Sequence, residues 1–260
     1  MTSPRNSNTA RGGQRVYTWR SENYWSVTTI IGGGVPKPAL LPWGIKMVAE
    51  GAADMAAQLP AMVAQDRDAA VRFLKGLPYA KRDRAADVGT YIHAAAEAYK
   101  LGQPFPKWAP EARPRMEAYV QFLEDFGPEY EATEASVFNR TEWYAGTLDA
   151  ICTIGGRKFL IDTKTGKGVY PETALQLAAY RYAEFIGLPD GSEAPMPPVD
   201  GCACLHLTDD GYELLDVHAD EDVFKSFLYV REVFRWQTEL GQRTIGPPLI
   251  PSVPSPEAVA

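Results

Sequence analysis

The stretch Gly146–Gly166, GTLDAICTIGGRKFLIDTKTG, constrains the fold more than any other part of the chain. Its Gly155-Gly156 pair stands between two apolar runs. That is the signal of a two-residue hairpin turn, in which both central residues need positive φ. With those two residues as the loop, Asp149 falls opposite Asp162 on one face, and Lys164, two residues further on, joins them. Leu148, Ala150, Cys152, Ile154, Phe159, Ile161 and Thr163 form the other, apolar face. Burial of that face fixes the register, because a one-residue slip would carry both aspartates into the core. Like charges directly opposed on a sheet destabilise it. Compensation is therefore expected from Lys164 or from a bound cation, and oxygen ligands of this kind suit Mg²⁺ or Mn²⁺. A solvated hairpin with incidental charges is the alternative, and spacing alone leaves both open.

Periodicity around the hairpin predicts helices over 38–58, 65–75, 83–100 and 110–126, then strands over 131–138, 142–154 and 157–164. A helix over 171–186, strands over 202–208 and 212–217 meeting at Asp209-Asp210-Gly211, and a helix over 220–240 follow. The expected fold is α/β: a central mixed sheet flanked by helices, with an αβββαβ core and an α-helical N-terminal extension. One domain is expected over 16–244, made of a helical part at 38–80, a core at about 85–218 and the last helix. Residues 1–15 read as a disordered arm and 245–260 as an extended Pro-rich tail.

Composition excludes several classes. Hydrophobic residues make up 45% and charged residues 23%, as in ordinary globular chains, which argues against wholesale disorder. No apolar run approaches a membrane span, and MTSPRNSNTARGGQR lacks the core of a secretory signal, so no membrane association and a cytoplasmic location are expected. Three cysteines cannot build a disulfide framework. The net charge of −7 disfavours non-specific nucleic-acid binding, yet the charge is unevenly spread. Arg5, Arg11, Arg15, Arg20, Lys37 and Lys46 face only Glu22 and Glu50 in residues 1–50, which permits a locally positive surface.

On the helix over 83–100, Val88, Ile92, Ala95 and Tyr99 make an apolar stripe, and Gly89, His93 and Glu97 form a line beside it. His93 is placed to offer an imidazole to the same cation, with Glu97 orienting it; a lone histidine bonded to a neighbour is the competing reading. Gln176 and Tyr180 share a helix face.

In order, Gly89-Thr90-x-x-His93, Gly146-x-x-Asp149, Asp162-Thr163-Lys164 and Gln176-x-x-x-Tyr180 resemble the RecB-like branch of the PD-(D/E)XK nuclease superfamily, over about residues 85–185. Ser26-Val27-Thr28-Thr29-Ile30, Pro36-Lys37-Pro38-Ala39-Leu40 and Trp43 look like bacteriophage exonucleases of that branch. The resemblance implies a metal-dependent DNA exonuclease in phage recombination or repair. A structure-specific endonuclease and a non-catalytic DNA-binding protein are the alternatives. It further implies that His93, Asp149, Asp162 and the Thr163 carbonyl hold Mg²⁺ or Mn²⁺, the imidazole tilting the choice toward Mn²⁺. Lys164 would position or activate water and stabilise charge, while Gln176 and Tyr180 support the site or touch DNA. Lys167 and N-terminal basic residues would line the DNA path, with Tyr24, Trp25 or Trp43 stacking on bases. A recombinase or single-strand annealing protein is a possible partner, an oligomer is possible, and the host cytoplasm is the location if the chain is phage-encoded. The superfamily's proline is replaced by Leu148. With only three cysteines no iron–sulfur cluster is expected, and no helicase P-loop motif is present.

Overall fold

The Gly155-Gly156 turn has φ of 56° and 77°, the left-handed region that glycine enters without steric penalty. A computed structural model describes residues 7–9 and 14–247, with the side chains of 7–9 and 80–88 outside the description. In chain order, β1 (Ser7–Thr9), β2 (Arg15–Trp19) and β3 (Glu22–Ser26) lead directly into α1 (Val27–Gly34). Next come α2 (Leu40–Asp54), α3 (Leu59–Gln65), α4 (Arg67–Lys100), a 3₁₀ turn at Pro110–Ala112 and α5 (Arg113–Phe126). A meander of β4 (Glu129–Asn139), β5 (Tyr144–Ile154) and β6 (Arg157–Lys164) follows. Then come α6 (Glu172–Arg181), β7 (Phe185–Gly187), β8 (Glu193–Pro195), β9 (Gly201–Leu207), β10 (Tyr212–Asp216) and α7 (Glu221–Arg235). The fold is α/β, with a mixed, largely antiparallel sheet between helices. Among the described residues no helix is long and apolar enough to cross a membrane.

The β5–β6 ladder has the register read from the sequence, from Ile154–Arg157 to Ala150–Ile161, and it ends there. Asp149 and Asp162 are the next step, where the strands part. β4 covers one edge of β5 from Tyr144 to Thr153. The other edge is shared: β3 runs parallel to Tyr144 and Ala145, and β6 takes over from Ala150. Residues 146–149 therefore lie in a gap between two strands on the same edge. β9 extends the sheet parallel to β6, with His206 beside Lys164.

Two helical layers cover this sheet. α1, α6 and α7 bury Ile30, Leu177, Phe227 and Phe234 against Leu148, Ile151 and Leu160. The end of α4 together with α5 buries Ile92, Met116, Tyr119 and Phe122 against Ala150, Cys152 and Ile161. Leu148 and Ala150, expected on one face, thus lie in opposite cores. Strand alternation resets between them, where Glu134 of the facing β4 stands at φ 49°. Asp162, expected on the face away from the apolar one, is 2% exposed, and Gln176 of α6 donates to it, so it does not lie on a solvated hairpin face.

Other expectations change as well. The helices read at 65–75 and 83–100 are one helix, α4, capped by Asp66, whose side chain accepts from the Ala69 amide. Good helix formers on either side carry the backbone through Pro78, which lacks an amide to donate. The predicted end of the helix over 171–186 is strand β7, where Phe185 stacks on Phe138 of β4 at 5.2 Å. Residues 7–9, assigned to a disordered arm, pair with β2, and the rest of residues 1–13 lies outside the described residues, as does 248–260 of the tail. The β2–β3 hairpin and α1 had no counterpart among the predicted elements. α2 and α3 bury no residue fully.

Replacing Gly156 with Ala forces a side chain into left-handed backbone. It should lower the unfolding free energy by about 1 kcal/mol, read from urea titration; an unshifted midpoint would show that the turn does not hold the hairpin.

Candidate metal centre

The gap in the sheet is where side chains from both layers meet. Asp149 Oδ2 accepts a hydrogen bond from the Thr163 amide at 2.7 Å, bridging β5 to β6 just where their ladder stops. Its other oxygen, Oδ1, is 4.0 Å from His93 Nδ1 on α4. The same imidazole nitrogen lies 2.7 Å from Glu134 Oε1. His93, Glu134 and Asp149 each offer one donor atom, and all three atoms lie within 4.8 Å of one another, a spacing that one cation can span.

Asp162 faces the other layer. Gln176 Nε2 of α6 donates to its Oδ1 at 2.7 Å, and Lys164 Nζ stands 2.8 Å from its Oδ2. Lys164 also donates to Gln176 Oε1 at 3.2 Å, so Gln176 bridges acid and ammonium. One turn on, Tyr180 is 2% exposed and lies against Gly146: a Cβ there would stand 2.9 Å from the tyrosine oxygen and closer still to its ring. Gly146 is thus the price of seating Tyr180 beneath the acids. Thr147, in the same gap, meets the Tyr17 hydroxyl of β2 at 2.9 Å.

Burial would lower the pKa of His93, but Asp149 and Glu134 outweigh it and raise it from 6.5 to about 9. Burial and then the Asp162 charge push Asp149 up to about 7, against His93 and the Thr163 amide. Burial also raises Asp162, against Lys164. For Lys164 burial acts downward, and Asp162 more than reverses it, so the ammonium stays charged at neutral pH. Glu134 Oε1 and Asp162 Oδ2 are buried without an aligned hydrogen bond, although a nitrogen lies at 2.7 and 2.8 Å from them. Those short contacts are ion contacts between the carboxylates and the two cations of the site.

The structure therefore brings His93, Asp149, Asp162, Lys164, Gln176 and Tyr180 to one place. Thr163 adds its amide, held by Asp149. Glu97 is exposed, and the carboxylate that meets His93 is Glu134 instead. Among the described residues Glu134, and not Asp162, completes the donor cluster with His93 and Asp149. The four-residue connection 140–143 carries no fixed turn signal, so the approach of Glu134 to His93 was not readable from sequence. Lys167 is exposed on the loop after β6. That loop is pinned by Arg115, which donates to the Thr165 carbonyl at 3.2 Å, and by His206, whose Nε2 lies 3.0 Å from the Gly166 oxygen. Neither anchor stood out in the sequence, although His206 lies beside Lys164 in the sheet. Among the expected stacking residues, Tyr24 is fully buried and Trp25 packs edge-on against Phe234, which leaves Trp43 exposed.

No family model matches the chain, and no curated protein matches it. Among solved structures it is similar to one described as "Crystal structure of SSO0001", at 18% identity and a TM-score of 0.29. That match covers 50% of this chain and 62% of the other, less than two thirds of its length.

The imidazole of His93 should titrate near 9 in EDTA, followed by NMR. Glu134→Gln should lower that value and Glu97→Gln should leave it unchanged; the reverse pattern would restore Glu97 as the orienting group.

Proposed function

We propose that this chain is a divalent-metal-dependent deoxyribonuclease of the RecB-like kind that degrades DNA from its ends. The observation that carries the reading is the convergence, at one gap in the sheet, of the His93–Glu134–Asp149 donor set with the Asp162–Lys164 pair bridged by Gln176. The donors are nitrogen and carboxylate oxygen without thiolate, which fits Mg²⁺ and, with imidazole present, Mn²⁺. A divalent cation bound there supplies Lewis-acid polarisation of a phosphoryl oxygen and acidifies water.

The protein's own groups do the rest. Lys164 is a compact positive charge, and its raised pKa makes it a stabiliser of charge developing at phosphorus rather than a base. Asp162 and Gln176 fix its position. Glu134 and Asp149 hold the imidazole between them, and the Thr163 amide anchors Asp149. Tyr180, buried below, supports the acids and is not placed to touch a DNA strand.

Lys164→Ala should lower cleavage of end-labelled linear DNA about 10²–10³-fold while leaving folding and Mn²⁺ binding in place. Full cleavage by that variant, or undiminished cleavage in EDTA, would refute the reading. Closed circular plasmid should survive, and its nicking would turn the assignment to an endonuclease.

Metal binding should depend on pH in a definite direction. A cation needs Asp149 ionised and His93 neutral, and their pKa values are about 7 and about 9. Protons compete at both groups below 7, at His93 alone between the two values, and at neither above 9. Mn²⁺ affinity from calorimetry should therefore tighten from pH 6 to pH 9, and a flat profile would exclude this donor set.

A further inference from the structure

Two cavities open beside α1. One, of about 200 Å³, is bounded by Lys164 and Gln176 of the candidate centre, by Lys37 and Tyr170, and by Thr28 and Gly32 of α1. The other, of about 570 Å³, shares Thr28 and Gly32 and reaches Arg15. The shared residues make the two cavities neighbours at α1, a trough with Lys164 at one end and Arg15 of β2 at the other.

α1 ends in three consecutive glycines, and they have different reasons to be there. A Cβ on Gly33 would stand 2.7 Å from the Phe234 ring, and one on Gly34 would strike the Val230 carbonyl oxygen. Both are demanded by the close packing of α7. A Cβ on Gly32 would meet nothing within 4 Å. Packing does not require this glycine, and in a helix it is less stable than alanine. What its missing side chain keeps open is the floor of the trough.

We infer that this trough is the bed of one unpaired nucleic-acid strand, whose backbone crosses α1 at Gly32 between Arg15 and Lys37 on its way to Lys164. The inference rests on the nuclease reading and specifies where its substrate lies. Arg15 and Lys37 are exposed cations on opposite stretches of the trough. Lys37 also meets Glu172, a carboxylate lining the same cavity, at 3.8 Å, a loose contact that leaves the lysine side chain 40% exposed and open to a phosphate. Tyr170, 62% exposed at the Lys164 end, offers a ring to a base. A basic groove with an aromatic platform is the general solution for sequence-tolerant single-strand binding. A local groove of this kind is compatible with a net charge of −7, because the field near the backbone is set by neighbouring charges.

The test is fluorescence anisotropy of a labelled oligo-dT in EDTA, where no cleavage occurs, with the full chain. Gly32→Glu should weaken binding about tenfold or more without lowering the unfolding temperature. Arg15→Ala and Lys37→Ala should each flatten the slope of log affinity against log salt by about 0.7, as loss of one single-strand phosphate contact does. These two exposed positions decide the matter if Gly32→Glu proves unstable. Wild-type affinity and slope in all three variants, or no oligo-dT binding by the wild type, would overturn the inference. The nuclease reading fails separately: it falls if the wild type binds oligo-dT but leaves DNA uncut with Mn²⁺. It survives if DNA is cut while the trough variants bind normally.

Discussion

Uncompensated negative charge where β5 and β6 separate is the constraint around which the rest of the molecule is arranged. Glu134, Asp149 and Asp162 gather there, and Lys164 and His93 are the cations that face them. With His93 neutral, three carboxylates against one ammonium leave two negative charges, the amount a divalent cation would cancel. Without such an ion, protons make up part of the difference: His93 is held in its charged form and Asp149 is pushed up to about 7. Carboxylates this close and this buried are tolerated only where something positive shares the site.

The sheet makes that site possible by being interrupted. A β5 flanked by unbroken strands on both edges would use its backbone in ladders and leave Asp149 no access to β6. Because β3 pairs at Tyr144–Ala145 and β6 only from Ala150, four residues of β5 are released between them. Side chains fill the interval: Asp149 to Thr163, Thr147 to Tyr17, and Gly146 yielding to Tyr180. The gap also admits both layers, so that α4 brings His93 from one side and α6 brings Gln176 from the other. Neither helix alone could bring both His93 and Gln176 to the gap.

Much of this was legible in the sequence, for identifiable reasons. Gly155-Gly156 admits few conformations, so it fixed the β5–β6 register and with it the approach of Asp149 to Asp162. His93, Gln176 and Tyr180 lay at helical spacings that survive in the fold. What stayed hidden depends on contacts that no local pattern encodes. Leu148 and Ala150 look like one face until the alternation resets between them. Glu134 reads as an ordinary strand acid because the 140–143 connection does not set a register. Phe185 and Ile186 continue a helical pattern until Phe138 offers Phe185 a stacking partner. The Tyr24 ring, which looks free to stack on a base, is fully buried with Phe138 in the small aromatic core under β2 and β3.

Glu134 shows how far the site dictates to the backbone. A non-glycine residue with φ of 49° in mid-strand carries strain of about 1–2 kcal/mol. Regular pairing continues on both sides of it, Thr133 with Ala150 and Ala135 with Leu148, so the ladder holds the distortion in place. The local twist coincides with the reset of alternation on β5, and it leaves the Glu134 carboxylate 2.7 Å from His93. Ala132 and Ala135, three apart, both pack against the α6–α7 core, as a strand of strict period two could not arrange. The strain and the donor cluster are therefore one feature: relaxing Glu134 to regular strand geometry would restore the alternation and take its carboxylate away from the imidazole.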